Sequence, residues 1–224
     1  MFQAFQLSNC VKFTYQWRFC SLLITEPQSC EPISSINVKI LKLIYITNAL
    51  ESKISKYSWI HFEGRPNTEE IEKMMNLVRN CSNGPIRPKI SLEMEKIGRN
   101  YDALIPLADV IFVSKEQAIS RGFQNMSELV KDFYPEIQIM VICPWGEKGA
   151  AGRDFDGKVF EIPAFMPKGG VIDTVGAGDT FNATVVTGLS QGKSLKEALE
   201  KGCKVAGTKC GQYGYKGLKE AFMA

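Results

Sequence analysis

Hydrophobic and polar positions change period along the chain, and after its first quarter they switch repeatedly between spacings of two and about 3.6. Tyr57 to Phe62 is a compact run of aromatic and β-branched residues, the composition of a strand. Asn67 followed three residues later by Glu70 predicts a helix start, with Ile71, Met74, Met75 and Val78 then falling on one face. Lys89 to Glu95 alternates, Ile90, Leu92 and Met94 on one side and Ser91, Glu93 and Glu95 on the other, which predicts a strand. Val110 to Val113 and Ile137 to Cys143 read as buried strands, the first leading into a helix from Ser114 and the second into the Pro144-Trp145-Gly146 turn. Asp156-Gly157 signals a hairpin between Arg153 to Phe155 and Val159 to Ile162. Thr180 to Leu189 predicts a helix, and Ser194 with Glu197 opens another whose apolar positions are Leu195, Ala198, Leu199, Cys203 and Val205.

Strands alternating with helices predict an α/β fold with a mainly parallel sheet. The first 57 residues behave differently. Met1 to Pro32 sustains neither period, and only Ile36 to Ile46 has strand character. The division expected is an unrecognised segment over residues 1–57 and one α/β domain over 58–224.

Composition narrows the class. The 224 residues are 45% hydrophobic, enough for a substantial core, and a net charge of +3 without a run of Lys or Arg argues against a nucleic-acid partner. Seven cysteines are scattered with no C-x-x-C pair, which points to reduced thiols and a cytoplasmic protein. No stretch approaches the ~20 apolar residues of a membrane span. Phe19 to Thr25 comes nearest to a targeting segment, but no basic cluster precedes it.

The chemistry concentrates in Asp173-Thr174-Val175-Gly176-Ala177-Gly178-Asp179-Thr180-Phe181-Asn182-Ala183. Gly176 and Gly178 let backbone approach a ligand closely, and the helix that follows begins with unpaired N–H groups and the positive end of its dipole. That suits phosphate. A carboxylate beside a phosphate makes sense as a base for an attacking hydroxyl, which is the role open to Asp179. Elsewhere the duller readings compete. Arg65 is a surface cation or, at a strand end, a ligand contact. His61, the one histidine, sits in a strand as a structural residue; Cys203 lies on an apolar helix face; Trp145 packs or touches a ligand; Glu93 and Glu95 are solvated charges by default, with a metal-linked role as the alternative.

The Asp173 to Ala183 string resembles the C-terminal signature of the ribokinase-like, or phosphofructokinase-B-type, carbohydrate kinases. Within that family Trp59 to Arg65, Val113 to Lys115, Cys143 to Gly149 and Gly202 to Gly211 resemble the ketohexokinase, or hepatic fructokinase, branch. The resemblance extends from about Ser58 to about Gly217 and implies a ribokinase-like three-layer α/β/α fold. It implies ATP with Mg2+, and a monovalent cation such as K+, as cofactors, and fructose as the sugar, phosphorylated at its C1 hydroxyl with Asp179 as catalytic base. It also implies an anion hole at Gly176, Ala177 and Gly178, and ATP contacts from Arg65, Trp145, Gly146, Glu147, Gly149, Phe181 and Cys203.

Departures accompany the matches. The family's early sugar-binding Asp and Gly-Gly-Asn segment find no counterpart, since residues 1–57 contain neither Gly nor Asp. Ser114 and Gln117 stand where the family's Asn-x-x-Glu motif would fall. The N-terminal strands and lid are therefore expected to be missing or diverged, and the dimer contact they carry is not recognisable. Two functions stay open: an ATP-dependent ketohexokinase, or a nucleotide-binding protein that cannot grip sugar.

Overall fold

The computed structural model describes residues 5–7, 10–13, 22–25, 57–80, 87–216 and 218, with backbone alone for the first three segments. One sheet runs through the molecule in chain order: β1 (Phe5–Leu7), β2 (Cys10–Phe13), β3 (Leu22–Thr25), β4 (Trp59–Glu63), β5 (Lys89–Met94), β6 (Val110–Val113), β7 (Met140–Pro144), β8 (Ala150–Arg153) and β9 (Val159–Ile162). The central strands β4 to β7 are parallel, and antiparallel pairs flank them on both sides. The helices are α1 (Thr68–Asn80), α2 (Lys115–Ser120), α3 (Met126–Asp132), α4 (Ala177–Ser190) and α5 (Leu195–Cys210).

Alternation on the central strands sorts side chains into two cores. Ile60, Phe62, Ile90, Leu92, Met94, Ile111 and Val113 pack with Ile71, Met75 and Val78 of α1 and Leu129 and Val130 of α3. On the opposite face Trp59, Val110, Phe112, Met140 and Ile142 pack against Phe181, Val185 and Val186 of α4 and Leu195, Leu199 and Cys203 of α5. Three layers result, helices on both faces of the sheet, as the resemblance implied. Parallel strands covered on both faces must be apolar on both, which explains the unbroken burial of Val110 to Val113.

Local signals set the helix ends. In α5 the Ser194 hydroxyl accepts from the Glu197 N–H while the Glu197 carboxylate accepts from the Ser194 N–H, the reciprocal capping the sequence predicts. In α1 the Asn67 carbonyl accepts from Glu70 and Ile71, and Glu69 and Glu70 at one end with Arg79 at the other complement the helix dipole. Asp109 ties the far edge of the parallel strands together, accepting from the Ile90 N–H at 2.7 Å and pairing with Arg79 and Arg87 at 3.3 and 3.0 Å.

Two expectations need correction, and one helix was not foreseen. Strands do occur before residue 32: β3 covers the edge of β4, and its four residues belong to the Phe19 to Thr25 run. Edge pairing needs backbone groups rather than a side-chain period, so the pattern gave no sign of it. Helix α3 went unpredicted because it is two turns long, although Asn125 caps it by accepting from the Glu128 N–H. Helix α4 starts at Ala177, three residues before the predicted Thr180, so Asp179 lies inside its first turn. The Ile36 to Ile46 run lies outside the described residues. No helix among those described is long and apolar enough to cross a membrane.

Candidate active site

A cavity of about 680 Å³ opens where the C-terminal ends of β4 to β7 meet the start of α4. This is the end of a parallel sheet at which ligands gather, because strand ends and helix N-termini converge there. Strand β4 delivers His61, Glu63 and, just beyond it, Arg65; β5 delivers Glu93, Glu95 and Lys96. Lys115 enters from the first turn of α2, Gly146 and Glu147 from the turn after β7, and Gly176, Gly178, Asp179 and Asn182 from α4.

The turn before α4 takes a left-handed backbone at Gly176, φ 75° and ψ 11°, which a side chain would resist. Room is short as well, since a Cβ there would lie 1.9 Å from the Tyr215 hydroxyl oxygen. The Thr180 N–H donates to the Gly176 carbonyl at 2.9 Å, the first bond of the helical ladder, so the Gly178 and Asp179 N–H groups precede that ladder. The Ala177 N–H is engaged differently, donating to the Thr174 carbonyl at 3.1 Å. Asp179 is exposed toward the cavity.

Upstream the turn is anchored. Asp173 accepts from the Val175 N–H at 3.0 Å through one carboxylate oxygen and from the Lys209 ammonium at 2.6 Å through the other. The Lys209 hydrogen bond first, and the Val175 N–H second, hold the Asp173 carboxyl below its usual range.

A polar network lines the cavity floor. The Trp59 indole N–H donates to Ser91 Oγ at 2.8 Å, and Ser91 Oγ lies 2.8 Å from His61 Nδ1. A serine hydroxyl has one proton and two lone pairs, so Ser91 accepts from the indole and still bonds His61 Nδ1 with either imidazole tautomer, leaving His61 Nε2 on the other side of the ring. Nε2 faces Glu93 Oε2 at 3.6 Å, and the other Glu93 oxygen accepts from Asn182 Nδ2 at 2.8 Å. Glu93 is thus not the solvated charge its strand alternation suggested. The polar face of β5 looks onto α4 and the cavity, and Ser91 is fully buried there.

Around the cavity each cation has a carboxylate at hand. Arg65 pairs with Glu63 at 2.5 Å, Lys115 with Glu147 at 3.0 Å, and Lys96 with Glu95. The Glu147 carboxyl is held below its usual value by its own backbone N–H and by Lys115.

Of the candidates from sequence, Arg65, Gly146, Glu147, Gly176, Gly178 and Asp179 line one cavity, with Ala177 in the same turn. Trp145, Gly149, Phe181 and Cys203 do not line it. Trp145 is buried in the same core cluster as the apolar residues of α1 and α3, with Lys115 Nζ 5.9 Å from its ring centre. Gly149 closes the turn after β7, its carbonyl accepting from the Trp145 N–H at 2.7 Å. Phe181 and Cys203 pack between α4, α5 and the sheet, and burial pushes the Cys203 thiol up to about 11. Glu63, Lys115, Asn182 and Lys209 were not singled out by sequence. Asn182 alone left a signal, three residues after Asp179 and hence one helical turn along the same side.

Among the described residues no group of three or more His, Cys, Asp or Glu side chains is placed to hold a metal ion. The carboxylates that line the cavity are Glu63, Glu93, Glu95, Glu116, Glu147 and Asp179.

Residues 46–220 match the model of the pfkB family carbohydrate kinases. Mouse (Mus musculus) ketohexokinase is 35% identical over 204 residues, covering 86% of this chain and 68% of the mouse protein. Ribokinase from Thermotoga maritima superimposes with a TM-score of 0.59 at 20% identity, over 77% of this chain and 59% of that one. Arabidopsis thaliana ribokinase complexed with ribose and ATP gives 0.59 at 15%, over 79% of this chain and 58% of that one. This chain therefore spans somewhat under two thirds of these solved structures. With a family model covering most of its length and a relative above 30% identity, the chain belongs to the pfkB family of carbohydrate kinases.

Proposed function

We propose that this chain transfers the γ-phosphoryl group of ATP to the C1 hydroxyl of fructose, giving fructose 1-phosphate and ADP, with Asp179 as the base. The observation that carries the reading is the placement of Asp179. It is an exposed carboxylate in the first turn of α4, directly after a left-handed glycine, facing a cavity large enough for reacting groups. The 35% identity to a ketohexokinase supports the ketose as acceptor.

In this mechanism the acceptor hydroxyl gives its proton to Asp179 as its oxygen bonds to the γ-phosphorus, and the bond from that phosphorus to the β,γ-bridging oxygen breaks. The N–H groups at Gly176, Ala177 and Gly178 and the α4 dipole stabilise charge on the transferring group. For Ala177 this requires exchanging its turn bond to Thr174 for the phosphate. Arg65 and Lys115 can turn from their glutamates to phosphate oxygens. Magnesium arriving with ATP would neutralise phosphate charge, with Glu147 and Asp179 among the cavity carboxylates able to complete its shell, and a monovalent cation such as K+ would complete the expected cofactors. Cys143, Cys203 and Cys210 are free thiols, in keeping with the cytoplasm as its compartment.

A second reading has its own support. Among the described residues lining the cavity, Asp179 and Asn182 are the Asp and Asn side chains, and Asn182 Nδ2 donates to Glu93. If sugar is gripped through Asp and Asn side chains, that pair is a small set for a polyol and favours a protein that binds nucleotide without turning over sugar.

Fructose-dependent ADP release, measured beside ATP binding by calorimetry, separates the two. Turnover that disappears in Asp179→Asn while ATP binding persists supports the kinase; ATP binding with no fructose-stimulated turnover in the unaltered chain refutes it.

A further inference from the structure

We propose that Lys209 is a positioning residue for the phosphate turn, an internal cation that fixes Asp173 and through it the Gly176 to Asp179 backbone. The inference rests on the reading of that turn as a phosphate site. Lys209 lies on α5, 36 residues from Asp173, and is fully buried although it is a charged side chain. An ammonium is rarely taken out of water without specific partners. Here it has two, the Asp173 carboxylate at 2.6 Å and the Asp173 carbonyl at 3.0 Å. Lys209 therefore holds both the side chain and the main chain of one residue.

The same end of α5 contributes more. The Cys210 carbonyl accepts from the Ile172 N–H at 2.7 Å and the Asp173 N–H at 3.1 Å, so the chain entering the turn is pinned on either side of the ion pair. Tyr215, whose ring centre lies 5.5 Å from Lys209 Nζ, sets its hydroxyl against Gly176 and lies close enough to Asp179 to feel its charge. From Asp173 the constraint passes three residues to the left-handed Gly176 and three more to Asp179. Lys209 touches neither the cavity nor the carboxylate assigned as base. Its effect reaches a ligand only through the turn's geometry, which is why it is a positioning residue.

The test compares affinities for ATP with magnesium and for adenosine, measured by calorimetry on the full chain, because only ATP reports on the phosphate turn. Lys209→Met keeps the length of the stem and removes the ammonium. Asp173→Asn keeps the volume and the acceptor for the Val175 N–H while removing the charge, so it carries the test if the first variant does not fold. Each change should weaken ATP about tenfold, the scale of one charge-assisted hydrogen bond, and leave adenosine within about twofold. The double variant should be no weaker than either single one, since both break one coupling. Equal losses for ATP and adenosine, or additive losses in the double variant, would overturn the proposal. If the unaltered chain binds ATP no better than adenosine, the phosphate reading itself fails, and this inference with it.

Discussion

Two glycines at the α4–α5 contact give opposite expectations for the same substitution. Gly202 faces α4 from α5, and a Cβ built there would lie 2.7 Å from Val185 Cγ2 and 2.9 and 3.0 Å from two ring carbons of Phe181. Val185 is fully buried and β-branched, with essentially one rotamer in a helix, and the Phe181 ring is buried too, so neither can step aside. Gly188 on α4 is less confined, its Cβ meeting Ala198 Cβ at 3.3 Å and Cα at 3.5 Å. Replacing either glycine by alanine gains about 1 kcal/mol of helix propensity. At Gly202 overpacking costs about 2–3 kcal/mol, leaving Gly202→Ala destabilised by about 1–2 kcal/mol. At Gly188 a shift of a few tenths of an ångström suffices, and Gly188→Ala should match or exceed the unaltered protein by up to about 1 kcal/mol. For a chain of this size 1 kcal/mol moves the melting temperature by about 2–4 °C, so the two variants, about 1–3 kcal/mol apart, should differ by about 2–12 °C in a circular-dichroism melt. A Gly202→Ala variant melting at or above Gly188→Ala would refute the reasoning, because it would mean that α4 and α5 do not meet at Phe181 and Val185.

Gly149 combines φ 98° with a would-be Cβ only 2.0 Å from the Ile162 carbonyl oxygen, so Gly149→Ala should lose upwards of about 3 kcal/mol, visible as a lower urea midpoint. Asp173 has a folded-state pKa below its unfolded value, so its contribution to stability is present above the ordinary carboxylate range and lost as pH falls through the folded value. Melting temperature should accordingly drop on acidification below about pH 4, and less steeply in Asp173→Asn; identical acid limbs would contradict the assignment. Burial pushes the Cys143 thiol up to about 12 and Cys203 up to about 11, so neither should alkylate at pH 8 in the folded protein, while the half-buried Cys210 should react ahead of both in peptide-mapped iodoacetamide labelling.

Much of the fold was legible because its signals are local. The Ser194–Glu197 capping box and the alternation of Lys89 to Glu95 each lie within one element and have the predicted counterpart; the Asp156-Gly157 turn also joins two antiparallel strands, but its first arm is Ala150 to Arg153, with the expected Asp154 and Phe155 in the turn itself. The left-handed Gly176 and the helix behind it were likewise written into consecutive residues. Helix α3 was missed because seven residues give a 3.6-residue period too little length to declare itself.

The side chains around Asp179 are a different matter. Alternation on β5 separates Glu93 from Leu92 but says nothing about which face meets water, and only the docking of α4 turns that polar face inward. Asn182 reaches Glu93 across 89 residues, His61 reaches Ser91 across 30, and Lys209 reaches Asp173 across 36. By itself the sequence determined most of the elements from Trp59 onward, the phosphate turn and the carboxylate it carries, since caps, glycines and periods act over one or two turns of chain. Only the tertiary structure decided which charges are buried together and which candidates line the cavity. Those outcomes depend on strand register and on how two helices pack, and no short stretch of residues encodes either.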